Sequence, residues 1–120
     1  MIKKKSKSLL DSVESLIGHS ATVEGTVKTD KTVRIDGKIN GNIIAGGVIV
    51  GEKAEITGEI DTKVIVIAGL IKGNINASET IEILPQAKVF GDIKTNILTI
   101  AEGAHFYGNS SMTIKETTVD

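Results

Sequence analysis

Hydrophobic residues recur along this chain in a two-part pattern. The first part is a heptad, small–x–apolar–x–Gly–x–apolar, whose six copies begin at positions 21, 37, 54, 69, 87 and 104. The sixth copy is weaker, with Phe106 in its first apolar slot and Ser110 in its last. Alternation of this kind predicts β-strands with one buried face. Each heptad is followed by two apolar residues that lie two positions apart: Val33 and Ile35, Val48 and Val50, Val64 and Val66, Ile81 and Ile83, Leu98 and Ile100, Met112 and Ile114.

A parallel coil is the fold that this repeat predicts. Each strand is too short to be stable alone, but stacked turns of a coil bury their apolar positions along a shared axis. Six rungs at about 4.8 Å per rung make a rod about 29 Å long. The spacings between copies vary from 15 to 18 residues. This variation favours a right-handed coil over left-handed hexapeptide solenoids, which keep a rigid 18-residue turn.

A glycine lies at the centre of every heptad, and this column supports the coil. We expect the glycines to stack where the coil bends and where the interior has no room for a Cβ. An antiparallel meander or sandwich would place turn signals at hairpin spacing and would not need glycine inside each apolar strand. The six glycines are Gly25, Gly41, Gly58, Gly73, Gly91 and Gly108.

Composition narrows the function classes. The 120 residues carry a formal charge of −1, which argues against nucleic acid as the main partner. The absence of cysteine excludes disulfides, zinc ribbons and thiol catalysis, and it fits a cytoplasmic location. The predicted fold is therefore an all-β, single-domain right-handed parallel β-helix of about six rungs, spanning residues 19–114, with flexible tails at 1–18 and 115–120.

The first eight residues are basic, and they form a candidate membrane-binding segment. Lysines near an anionic leaflet gain about 1 kcal/mol each, and a polymer would combine many such tails. The alternative is a lysine tail that only solubilises the protein. Next, apolar residues at helical spacing over 9–17 predict a short amphipathic helix that ends at Gly18. The membrane-binding candidates are Met1, Ile2, Lys3, Lys4, Lys5 and Lys7.

The chain carries little that points to catalysis. His19 and His105 are the two histidines, too few for a three-histidine zinc site. The glycine-rich runs fit no phosphate-binding fingerprint, because no helix follows them. We therefore expect a protein that is not an enzyme and that needs no cofactor or metal. The alternative from another class is a hexapeptide-like β-helical acyltransferase, which would need a strict 18-residue coil and a histidine at a trimer groove.

The ends of the rod are the candidate polymerisation interface. An uncapped solenoid exposes unpaired N–H and C=O groups to which another chain can add, and soluble solenoids normally cover them with caps. No charged cap follows Ile114, and both terminal rungs are apolar. Phe106 either plugs the core or joins the interface, or does both. A monomeric binding module, a further alternative, would need a capped end. The interface candidates are Val23, Val27, Val33 and Ile35 at one end, and Phe106, Tyr107, Met112 and Ile114 at the other.

Outward apolar residues form a second candidate surface for lateral contact, for partner docking or for cover by the protein's own tails. Phe90 and Tyr107 occupy equivalent outward positions on adjacent rungs, immediately before Gly91 and Gly108. Ile49 and Ile65 are expected to do the same in the other strand.

The chain also resembles a known family, the bactofilins. The resemblance covers residues 15–114 and implies a right-handed β-helix that polymerises without nucleotide into non-polar filaments. It further implies attachment to the inner face of the cell membrane, and cell-wall-modifying enzymes or other cytoskeletal proteins as partners. The short segment 115–120 argues against recruitment of partners through a long C-terminal extension. The resemblance is carried by Ser15-Leu16-Ile17-Gly18, the run from Val33 to Ile43, Gly73-Asn74-Ile75-Asn76-Ala77, Ile83-Leu84-Pro85 and Gly91-Asp92-Ile93.

Overall fold

The computed structural model describes residues 13–119, and the side chains of residues 15–111. These residues form strands and turns, without a helix. The strands are β1 Val13–Ile17, β2 Thr22–Lys28, β3 Thr32–Ile35, β4 Lys38–Ile44, β5 Gly47–Val50, β6 Glu55–Thr57, β7 Ile60–Ile67, β8 Leu70–Lys72, β9 Ile75–Ile83, β10 Lys88–Phe90, β11 Ile93–Ala101, β12 His105–Tyr107 and β13 Ser110–Val119.

Parallel pairing stacks these strands into a β-solenoid of about six turns. Each turn has three faces. Face A contains β1, β3, β5 and the second parts of β7, β9, β11 and β13. Face B contains the first parts of β2 and β4, followed by β6, β8, β10 and β12. Face C contains the second parts of β2 and β4 and the first parts of the four long strands. The predicted parallel coil is confirmed.

The core is a stack of aliphatic side chains, one column for each inward position. Alternate residues of every strand point to the axis, so equivalent residues of successive turns contact each other. Burying one such side chain contributes about 1.5–3 kcal/mol relative to exposure. The largest side chains buried in this way are Ile35, Ile39, Ile43, Ile56, Ile60, Ile65, Ile67, Ile71, Ile75, Ile81, Ile83 and Leu98.

The predicted glycine column is present at the corner between faces B and C. All six glycines have positive φ, from +123° at Gly25 to +155° at Gly108, which L side chains rarely adopt. A Cβ built on Gly41 would overlap the carbonyl oxygen of Gly25, and the same overlap recurs at every later glycine of the column. The neighbouring rung's backbone, rather than a crowded interior, therefore excludes a side chain here.

Two kinds of corner join face A to face B, and they account for much of the irregular spacing of the repeat. At 18–21, 51–54, 84–87 and 101–104 the corner is a four-residue turn. In each turn the last N–H donates to the first carbonyl at 3.0–3.2 Å, as Ala54 does to Gly51. Two-residue corners replace these turns at 36–37 and 68–69. The strands keep their register while the corners absorb the change in length.

One inward pair was assigned wrongly from the sequence. Ile65 and Ile67 point into the core and are fully buried, whereas Val64 and Val66 lie partly exposed. All four residues are β-branched aliphatics, so local alternation does not distinguish the two faces. The register between strands shows which residues point inward, because Ile65 pairs with Val48 and continues its buried column on face A.

The two ends of the chain also differ from expectation. Residues 13–17 form strand β1, which pairs with β3, so the predicted helix is wrong for this part. The remainder of that stretch, like residues 1–8, lies outside the described residues. At the other end β13 continues to Val119, beyond the expected boundary at residue 114. Within the described range, no helix is long and apolar enough to cross a membrane.

Candidate polymerisation and docking surfaces

Both ends of the rod present strands with one unpaired edge. Within the described residues, β1 pairs only with β3 and β2 only with β4, so these two strands form the first end. At the last end, β12 pairs only with β10 and β13 only with β11. Unpaired backbone groups at a sheet edge are a template for another strand. Each end can therefore accept a second chain.

The first end carries an apolar inward residue on each of its three faces. Ile17, Val23 and Val27 are partly buried, pack against the core and have no further rung above them in the described chain. The expected contribution of Val33 and Ile35 is wrong, because both are fully buried. They belong to the second turn of face A, and β1 covers them.

The last end is more polar than the sequence indicated. Phe106 is half-buried against the core. In β13, however, Ser110 continues the column of Ile93, and the backbone of Glu116 lies in register with Leu98. The expectation of an apolar last rung is therefore wrong at the Ser110 position of face C. Met112 lies in register with Thr95, and Ile114 falls at the register shift.

Three rings lie together on the outside of face B near the last end. Phe90 and Tyr107 are in register and stack with centroids 4.9 Å apart at an interplanar angle of 7°. Their predicted equivalence is confirmed. His105 lies nearly parallel to Tyr107 at 6.3 Å, and it is exposed, as expected for a surface histidine. Tyr107 is 55% exposed and points sideways from the rod rather than along its axis.

The predicted lateral patch also included Ile49 and Ile65, and the structure supports one of these two residues. Ile49 is outward and partly exposed, as expected. Ile65 is fully buried and cannot belong to the patch. Register places Val66 beside Ile49 instead, since β5 pairs with β7 in this way. A shallow groove on face A is lined in part by Leu16, Ile49, Val66 and Leu84.

Face A also holds an ion pair that sequence reasoning did not single out. The Arg34 guanidinium donates to both carboxylate oxygens of Asp36, at 2.9 Å from Nε and 3.2 Å from Nη2. The hydrogen bonds and charge of Asp36 raise the pKa of Arg34, so the side chain stays cationic. The sequence signal for this ion pair was the i, i+2 spacing of Arg34 and Asp36 at the end of a strand.

The features of this fold that a partner could bind are exposed backbone edges rather than a metal or catalytic centre. Among the described residues, no group of three or more His, Cys, Asp or Glu side chains is placed to hold a metal ion. The candidates from Met1 to Lys7 lie outside the described residues. Over its described residues, the chain is a parallel β-solenoid with an open strand edge at each end, and this fold and these surfaces define its class.

Comparison with known proteins agrees with this class. The family model for Bactofilin, described as polymer-forming cytoskeletal, matches residues 15–111. Bactofilin BacO of Myxococcus xanthus (strain DK1622) is 35% identical over 103 residues, which cover 85% of this chain and 82% of that protein. Bactofilin BacP of the same organism is 26% identical over 99 residues, covering 82% of this chain and 41% of that protein. No solved structure gives a significant match. The chain belongs to the bactofilin family.

Proposed function

We propose that this protein is a non-enzymatic scaffold that polymerises end to end, without nucleotide, and holds its filaments to the inner face of the cytoplasmic membrane. The strand edges that stay unpaired within residues 13–119, at both ends of the solenoid, carry the proposal. The family description, polymer-forming cytoskeletal, supports it. In a filament each end would gain backbone hydrogen bonds and cover its partly exposed apolar residues.

Phe106 is the residue through which the last end is best tested. It is apolar, lies in β12 and is covered on one side only. An arginine at this position would place a charge in the stacked interface, where its desolvation is costly. We expect purified full-length protein to form filaments by negative-stain electron microscopy without nucleotide or metal. The Phe106→Arg variant should remain as small particles.

A matched control makes this experiment specific. Phe90→Arg introduces the same change one rung further in, at a side chain that points outward. It should leave filaments intact. Filaments in the Phe106→Arg variant would remove that residue from the interface. Discrete monomers or trimers of the unmodified chain, across salt and protein concentration, would overturn the polymer and favour a binding module or a trimeric acyltransferase.

The membrane part of the proposal rests on the first eight residues, which carry four lysines and no acid. Polymerised protein should float with vesicles that contain anionic lipid, since many tails act together. Reversal of Lys3, Lys4, Lys5 and Lys7 to glutamate should abolish flotation while filaments persist. Unchanged flotation of that variant would show that the lysines only solubilise the protein. At the membrane, the scaffold would help to organise cell shape by binding cell-wall-modifying enzymes or other cytoskeletal proteins.

A further inference from the structure

Face A carries fewer charges at its outward strand positions than either of the other two faces. Among residues 15–111, only Arg34 and Glu82 are charged at the outward positions where its strands pair, whereas Lys63 and Glu79 lie at the corner between faces C and A. Face B carries five such charges and face C carries three. On face B these are Glu24, Lys38, Glu55, Lys72 and Lys88, and on face C they are Lys28, Asp61 and Lys94.

The remaining outward positions of face A are apolar or small. Leu16 is 67% exposed and Ile97 is 41% exposed, while Ile49, Val64 and Val66 are partly exposed. Arg34 is already paired with Asp36. A strand face this poor in charge is unusual for a solvated surface and is typical of a contact surface.

The order of residues along face A is complementary to that of a second, antiparallel copy of the chain. The central outward column, in register from the first end to the last, reads Leu16, Arg34, Ile49, Val66, Glu82, Thr99. A two-fold axis between the third and fourth positions would place each Arg34 opposite the Glu82 of a second copy. The same axis would place Ile49 opposite Val66. Two rods aligned in the same direction would instead oppose Arg34 to Arg34, which costs free energy.

The two charged groups are suited to such an exchange. Asp36 occupies two of the five guanidinium N–H donors of Arg34 and fixes the orientation of the group. Three donors remain for a second carboxylate. Glu82 is partly buried on the surface of face A, and it forms no ion pair within the described part of the chain.

The size of the face predicts when the contact forms. Six rungs of about 4.8 Å and strands of about four residues give a footprint near 400 Å² per rod. A stable pair of proteins normally buries about 800 Å² on each partner. One rod is therefore too small to pair stably, whereas two filaments would repeat the contact at every subunit and bind through avidity.

We propose that face A joins filaments of this chain laterally in antiparallel pairs, through apolar contact of Ile49 with Val66 and reciprocal contact of Arg34 with Glu82. The proposal rests on end-to-end polymerisation for its avidity, but it uses a different surface. It also assigns Arg34 and Glu82 a shared role that neither residue has within one chain.

Charge reversal tests the reciprocal contact. Arg34→Glu and Glu82→Arg should each leave the high-speed sediment of filaments unchanged but reduce the low-speed sediment of paired and bundled filaments by about fivefold or more. The double variant should recover at least half of the loss. Lys72→Glu, a reversal on face B, is the matched control and should change neither fraction.

Single cysteines test the geometry directly, because the chain has none of its own. Copies carrying Ile49→Cys and Val66→Cys, with tags of different size, are mixed, polymerised and joined with a short bis-maleimide. Both positions lie in the middle rungs, so end-to-end neighbours do not bring them together. Antiparallel pairing predicts mixed products of residue 49 with residue 66, whereas parallel pairing predicts products of like residues.

The outcomes distinguish failure of the lateral contact through face A from failure of end-to-end polymerisation. If the unmodified chain gives no high-speed sediment, end-to-end polymerisation is wrong. If filaments form and the two reversals leave bundling unchanged, only the contact through face A is overturned. Like-residue cross-links, or no cross-links in bundled filaments, would overturn it as well.

Discussion

The middle of the rod and its two ends carry the same repeat but place equivalent residues in different surroundings. Ile71 in the fourth turn is fully buried between the rungs above and below it. Val23 and Phe106 occupy the same column in the first and last rungs and remain partly exposed. The comparison shows that the repeat determines which way a side chain points, whereas position in the stack determines how much surface it still has to bury.

The glycine column should show the largest difference in stability loss between a substitution in the middle of the rod and the same substitution at its end. Gly58→Ala should destabilise the fold by more than about 4 kcal/mol, because the new Cβ would overlap the backbone of Gly41. Gly25→Ala, which has no atom within 4 Å of that Cβ, should cost only about 1–3 kcal/mol through its positive φ. Thermal unfolding followed by circular dichroism, in the Phe106→Arg background, measures both. Equal losses would contradict the role of stacked backbones.

Core truncation should show the same contrast at smaller size. Ile71→Ala leaves a cavity between two rungs and should cost about 2–5 kcal/mol. Val23→Ala removes fewer atoms from a site that water already reaches, and should cost about 1 kcal/mol. The same unfolding experiment applies. A larger loss at Val23 would mean that the first end is covered in the isolated protein.

The two ends themselves should differ in their response to charge. Val27→Asp places a carboxylate in an apolar column of the first end, and should raise the critical concentration for polymerisation by about tenfold or more, equivalent to about 1.4 kcal/mol. Ser110→Asp lies in the same column at the last end, where the position is already polar, and should have a smaller effect. Sedimentation across protein concentrations checks both. A reversed order would assign the dominant contact to the last end.

The smallest expected effect concerns the polar ladder that follows the glycine column. Asn74 Oδ1 accepts a hydrogen bond from the Asp92 N–H at 3.0 Å, whereas Asn42 Oδ1 accepts from the Glu59 N–H at 3.3 Å. Asn74→Ala should cost about 0.5–1.5 kcal/mol, and Asn42→Ala somewhat less. Urea unfolding curves of the two variants give the comparison. No loss at Asn74, or a larger loss at Asn42 than at Asn74, would contradict the ranking by hydrogen-bond length.

The general architecture could be predicted from sequence because its signals are local and repeated. Glycine at one place in every turn, with apolar residues two positions away on either side, is compatible with few folds other than a parallel coil. The same logic failed at residues 64–67, where four consecutive β-branched aliphatics fit either face. It failed again at residues 13–17, because Val13, Leu16 and Ile17 satisfy a helical spacing while pairing with β3 decides for a strand.

The surfaces were harder to predict than the core, since they depend on register between turns. Arg34 and Glu82 are 48 positions apart in the chain, and only the stack places them symmetrically about Ile49 and Val66. The polar character of the last end was missed for the same reason. Ser110 lies in the column of Ile93 only because β13 pairs with β11 in this register.

The corners between faces A and B make this rod suitable for carrying an inserted peptide on its surface. Because two-residue and four-residue corners coexist without disturbing the strands, the loop at residues 52–53 is a site where a peptide tag could be inserted with little effect on the core. Every subunit would present that tag on the same side of its rod. A fluorescent or affinity tag placed there would label a filament along its length while leaving both ends free to grow.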